Sequence, residues 1–140
     1  MELQKDFLRN NDLGLLLLRL TIGGLMLFHG VAKVMGGYAF IEGMLTSMGL
    51  PAFIAWFSVA AELLGSIMII VGVWTRAAAV VMVGNMTVAI LMAHLDHIFT
   101  INAATGGWAI ELPMLYLLGS AVLVFTGAGK YAVTKGSILD

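Results

Sequence analysis

No cysteine occurs in the 140 residues. Disulfides, thiolate nucleophiles, iron–sulfur clusters and cysteine-bearing metal sites are therefore excluded, and any metal would rest on His and carboxylates. Charge is equally scarce: Asp, Glu, Lys and Arg make up 11% of the chain against 61% hydrophobic residues, which is not the composition of an ordinary soluble fold. The net charge is -1 and the seven Lys and Arg are scattered, so the basic patch that a nucleic-acid partner requires is missing. Proline appears only as Pro51 and Pro113. What the sequence has instead is long apolar runs.

A helix needs about 20 mainly apolar residues to span the hydrocarbon core, and four segments reach that length: 13–34, 52–73, 77–95 and 109–127. The expected fold class is all-α, a four-transmembrane-helix bundle forming one domain over 1–140 in contact with the lipid bilayer. Asn10, Asn11 and Asp12 are able to cap the first helix, Gly36 and Gly37 to close it, Pro51 to open the second, and Thr75–Arg76 to turn into the third. Lys5 and Arg9 before a leucine run suggest a cleaved signal peptide. That reading fails because the run is too long, contains Arg19 and lacks a small-x-small cleavage site. Lys5, Arg9, Arg76, Lys130 and Lys135 share one side, against Lys33 at the other, which predicts both termini in the cytoplasm. In the first external connection, Tyr38, Ile41, Leu45 and Met48 recur at helical spacing, the pattern of a short interfacial helix. The second connection is polar and ends at Trp108, an interfacial residue. LLGSIMIIVGVWTR (63–76) and LLGSAVLVFTGAGK (117–130) align without gaps, a weak hint of a duplicated hairpin.

Ionisable groups inside a bilayer cost at least about 2.5 to 3.5 kcal/mol each even on lenient scales, so they normally face partners or water. At 1.5 Å per residue, Arg19 lies roughly 9 Å from the inner end of the first helix, while His29 lies roughly 7 Å and Lys33 about 2 Å from its outer end. Arg19, Gly23, Met26, Gly30 and Lys33 form one stripe, whose glycines permit close helix approach. Arg19 must stay charged and calls for an acid, and Glu62 is the mid-membrane one; their pairing would fix helix register, or Glu62 would be a proton acceptor or ligand anchor. His29 and Lys33 stand a turn apart; Lys33 can also snorkel to the headgroups, and His29 can hydrogen-bond another helix. With His94 and Glu111 they form a candidate polar pocket in the outer half, suited to a quinone head whose carbonyls take hydrogen bonds and whose reduction takes protons. The inner half offers only Arg19 and Asn85 as strong polar groups. In HLDH, His94 and His97 are weak metal candidates, since Asp96 points elsewhere and a fourth ligand is unnamed. Haem would need His29 and His94 to face each other across two helices. Neither metal nor haem is expected.

The ordered set LLLRLTIGGLMLFHGVAKVMGG, GLP, AELLGSIMIIVGVWTRAAA and TGAGKYAV resembles the DoxX family of small four-helix bacterial membrane proteins. The match runs through nearly the whole chain and carries Arg19, His29–Gly30, Lys33, Glu62, Gly72, Arg76 and Gly127–Gly129; the tail departs from it, continuing as AVTKGSILD. The resemblance implies an integral protein of the bacterial or archaeal cytoplasmic (inner) membrane, linked in some members to quinone-dependent redox systems and in others to membrane partners of oxidative-stress proteins.

The leading expectation is an integral membrane subunit or accessory protein of a quinone-linked redox system, a candidate oxidoreductase component. Glu62 and His29 would be its catalytic pair, and Arg19, Lys33, His94 and Glu111 would bind the ligand. No flavin or haem motif is present, so electrons would come from a redox partner subunit or from substrate chemistry. Two alternatives stand beside it. One is a scaffold or assembly protein whose buried charges lock helix packing. The other is a small transporter, for which this length suffices as a homo-oligomer.

Overall fold

The computed structural model describes residues 8–140; Lys5, which entered the orientation count, lies outside them. Helix α1 (Asn11–Ala32) starts where the Asn10 side chain accepts a hydrogen bond from the Leu13 amide at 3.0 Å, satisfying one of the orphan donors of a helix start. It runs into a π-helical stretch, Lys33–Gly37, and breaks at Gly36, whose backbone (φ 175°, ψ 5°) leaves the helical region. Past that kink, α2 (Tyr38–Ser47) forms the helix expected of the first connection. A turn through Pro51 leads into α3 (Ile54–Val71), and α4 (Thr75–Ala93) follows at once. A 3-10 turn (Leu95–His97) and a loop closed by an isolated bridge between Ile101 and Trp108 precede α5 (Glu111–Thr126).

Among the described residues, three spans are long and apolar enough to cross a membrane: Asn11–Ser47, Ile54–Val71 and Thr75–Ala93; Glu111–Thr126 is apolar but shorter. Residues 109 and 110 stay outside α5 because Ile110 is its cap and Glu111 its first helical residue. The turn between α3 and α4 falls at Gly72–Trp74 rather than at Thr75–Arg76. Gly72 adopts φ +78°, and an added Cβ would lie 2.7 Å from both the Ala132 Cβ and an Arg19 guanidinium nitrogen. Glycine serves there on both counts.

The helices pack as α1 on α3, α3 on α4 and α4 on α5. A Cβ on Gly23 would lie 2.7 Å from Ile70 Cγ1 and 2.9 Å from the Ser66 carbonyl, and one on Gly30 would lie 3.1 Å from the Leu63 amide nitrogen. The small residues of α1 therefore set how closely α3 approaches. Between them lies the core of Ile22, Met26, Ile69, Ala79, Met82 and Leu123. The two similar stretches place Ser66 and Ser120, and Ile69 and Leu123, at corresponding fully buried positions.

The residues after α5 fold back over the end of the bundle at which α1 and α4 begin. The Leu139 carbonyl accepts from the Arg76 and Ala77 amides at 3.0 and 3.2 Å, capping α4, and Asp12 accepts from the Lys130 amide at 2.9 Å. The opposite end, formed by α2 and the 98–110 loop, is called the loop end below.

Candidate functional site

Arg19 does not meet Glu62. Its guanidinium, on a residue only 1% exposed, donates to four backbone carbonyls: Ile69 at 2.9 Å, Ile70 at 2.9 Å, Ala128 at 3.1 Å and Tyr131 at 2.5 Å. Ile69 and Ile70 belong to the last turn of α3, where carbonyls have no partner within the helix and the macrodipole is negative. A planar five-donor fork fits such a set. The expectation that a buried Arg demands a carboxylate fails here because a helix C-terminus and a returning tail supply the acceptors.

Glu62 pairs with Lys33 instead. Lys33 Nζ lies 2.5 Å from Glu62 Oε1, and Asn85 Nδ2 donates to the same oxygen at 3.2 Å. The other oxygen, Oε2, is buried and has no protein partner. Side-chain exposure is 28% for Lys33 and 2% for Glu62, so the carboxylate depends on its partners more than the ammonium does. Lys33 has turned inward rather than snorkelling to the headgroups. Ser66 donates to the Glu62 carbonyl, a back-bond within α3.

The carboxylate forms part of the wall of a cavity of about 330 Å³ between α1 and α5, at the lower end of the roughly 300–1,000 Å³ typical of ligand sites. His29 lines it from α1, Lys33 from the start of the π-helical stretch, His94 from the end of α4, and Pro113 and Tyr116 from α5. Lower down, a Cβ on Gly119 would lie 2.5 Å from Ile22 Cδ1, so α1 and α5 touch there and leave the cavity above. His29 stands edge-on to Tyr116 with ring centroids 5.7 Å apart.

The remaining predicted residues divide. His94 is half-buried in the cavity wall. Glu111 is exposed, with its carboxylate over Gly107; it occupies the first turn of α5, where a carboxylate complements the helix dipole, and it is not part of the wall. Arg19 lies outside the cavity as well. His97 is exposed, and among the described residues no group of three or more His, Asp or Glu side chains is placed to share an ion. Two residues here are not among the sequence-predicted ligands. Asn85, expected as an inner-half residue, sits level with Glu62 and reaches it from outside this cavity; its signal is a lone carboxamide in the middle of a largely apolar helix. Tyr116, in the cavity wall, gives no signal, because an aromatic in an apolar span is ordinary packing.

The DoxX family profile matches residues 14–95. The chain belongs to the DoxX family. That matched stretch contains every member of the Lys33–Glu62–Asn85 cluster together with His29 and His94. Among DoxX relatives, "Putative oxidoreductase CatD" of Bacillus subtilis (strain 168) is 33% identical over 117 residues, covering 84% of this chain and 81% of its own length. An uncharacterized protein of Haemophilus influenzae (strain ATCC 51907 / DSM 11121 / KW20 / Rd) is 32% identical over 119 residues, covering 83% and 84%. No solved structure matches. Family and apolar helices together make this an integral membrane protein.

Proposed function

We propose that this DoxX protein is a membrane-embedded subunit or accessory component of a quinone-linked redox system, and that the cavity between α1 and α5 takes the quinone head. The observation that carries the reading is the Glu62 carboxylate, with one oxygen held by Lys33 and Asn85 and the other unpartnered in the cavity wall. The donor set fits such a group. The Lys33 ammonium and the His29 imidazole are donors for ring carbonyls, and Glu62 Oε2 is an acceptor for a ring hydroxyl. A bound quinone would supply the electron-carrying ring; the protein would orient it and hold or pass protons at Glu62 and His29. The name of the B. subtilis relative supports a redox role. In the same reading α5 is the fourth span, α2 lies at the outer interface, both termini face the cytoplasm and the bilayer is the inner membrane. Arg19 acts on packing and Glu111 at the rim.

Native mass spectrometry of the gently extracted protein tests the proposal. Bound quinone is expected in the wild type and depleted in Glu62→Gln while the bundle stays folded, with only a small loss of stability. Its absence from both, or a Glu62→Gln variant that only loses stability, leaves a scaffold in which the Lys33–Glu62 pair locks α1 to α3.

A further inference from the structure

A second chamber of about 210 Å³ lies on the other side of the ion pair, under α2. It shares Lys33, Ala89 and His94 with the first chamber, but Asn85 and Ser58 line only the second and Glu62 lines only the first. The carboxylate therefore stands at a partition. Oε1 receives Asn85, a wall residue of the second chamber, and Lys33, which belongs to both. The first chamber opens sideways, between exposed His29 and Leu112. The second reaches the loop end at half-buried His94, the residue that closes α4.

We propose that Glu62 exchanges its proton with the aqueous phase at the loop end through the second chamber, with His94 as the relay at its mouth, while the first chamber admits a ligand from the lipid side. The ligand half rests on the quinone reading; the proton half rests on geometry alone. At about 30 Å³ per water the second chamber has room for several, and Lys33, Ser58, Asn85 and His94 supply the two to four polar partners that a buried water needs. The groups facing Glu62 are His29 from α1, Lys33 from the π-helical stretch, Asn85 from α4, His94 from its C-cap and Tyr116 from α5; α2 contributes only apolar side chains to the chamber. On protonation an N–H bond of the His94 imidazolium breaks, an O–H bond forms on Glu62 through intervening water, and no electron moves. The ion pair becomes a neutral acid beside a free ammonium. Lys33 tolerates that change because its side chain keeps 28% exposure.

The test uses the full chain in proteoliposomes and carbodiimides, which attack the protonated carboxyl, with the Glu62 adduct read by mass spectrometry. A lipid-soluble carbodiimide and a water-soluble cationic one are both expected to label Glu62, faster as the pH falls. Ser58→Leu, and Ala93→Leu as a second variant should the first fold poorly, slow the water-soluble reagent severalfold and leave the lipid-soluble one unchanged. After a pH jump, the infrared carboxyl band that disappears in Glu62→Gln rises more slowly in His94→Ala, and free imidazole restores its rate. Failure of the water-soluble reagent at every pH, equal slowing of both reagents, or an unchanged band rise in His94→Ala overturns the proposal. A decyl-benzoquinone is expected to protect Glu62 from the lipid-soluble reagent only. If it protects from neither while the other results hold, the quinone reading falls and the two-sided access stands.

Discussion

Removing the cation and removing the anion of the Lys33–Glu62 pair are predicted to have unequal costs. Lys33→Met leaves a carboxylate whose side chain is 2% exposed, with one neutral donor at 3.2 Å on Oε1 and none on Oε2. Stripping one partner from a buried pair costs about 3–5 kcal/mol. Glu62→Gln leaves the ammonium instead, but that side chain is already 28% exposed. Its amide oxygen still accepts from Lys33 and Asn85, so the loss is about 1–1.5 kcal/mol, a charge-assisted hydrogen bond exchanged for a neutral one. The double variant restores electrical balance and should cost less than the sum of the singles, with a coupling energy of about 1–3 kcal/mol. Unfolding in mixed micelles, followed through Trp56, Trp74 and Trp108, measures all four proteins. A Glu62→Gln variant as unstable as Lys33→Met, or strictly additive single costs, would refute the partition of burial between the two partners.

Arg19→Met removes the donors to all four carbonyls and should destabilise the bundle by more than about 3 kcal/mol, with hydrogen exchange accelerating first at residues 128–134, where the tail docks. Arg19→Lys, with three donors and no planar fork, should recover only part of the loss in the same exchange experiment. Gly23→Leu should overpack the α1–α3 contact, since even its Cβ would lie 2.7 Å from Ile70, and lower stability by about 1–3 kcal/mol or more. Gly24→Leu, with nothing within 4 Å of an added Cβ, should leave the same melting curve nearly unchanged.

Helix existence was readable because a bilayer imposes one rule of length and apolarity, and α1, α3 and α4 obey it. The stripe of Arg19, Gly23, Met26 and Gly30 was readable as a packing face, since all four are buried and helical spacing fixes which residues share a side. Which charge meets which was not readable. Arg19 and Lys33 both lie on that stripe and Glu62 sits on the facing helix, so spacing alone permits either pairing. The choice depends on α3 ending at Ile69–Val71, level with Arg19, and on a tail that returns 109 residues later in sequence to offer the Ala128 carbonyl. The place of His94 at the end of α4 was legible because it follows directly from where that apolar run stops. Glu111 was misplaced because one residue of helical register decides between the cavity wall, lined by Leu112 and Pro113, and the rim.

The four carbonyls around Arg19 also set when its coordination can be completed. Ala128 and Tyr131 follow it by 109 and 112 residues in sequence. During synthesis the helix that carries Arg19 is therefore made well before two of its four acceptors. Only closure of the segment after α5 completes that coordination, so a later-made segment latches an earlier-made one.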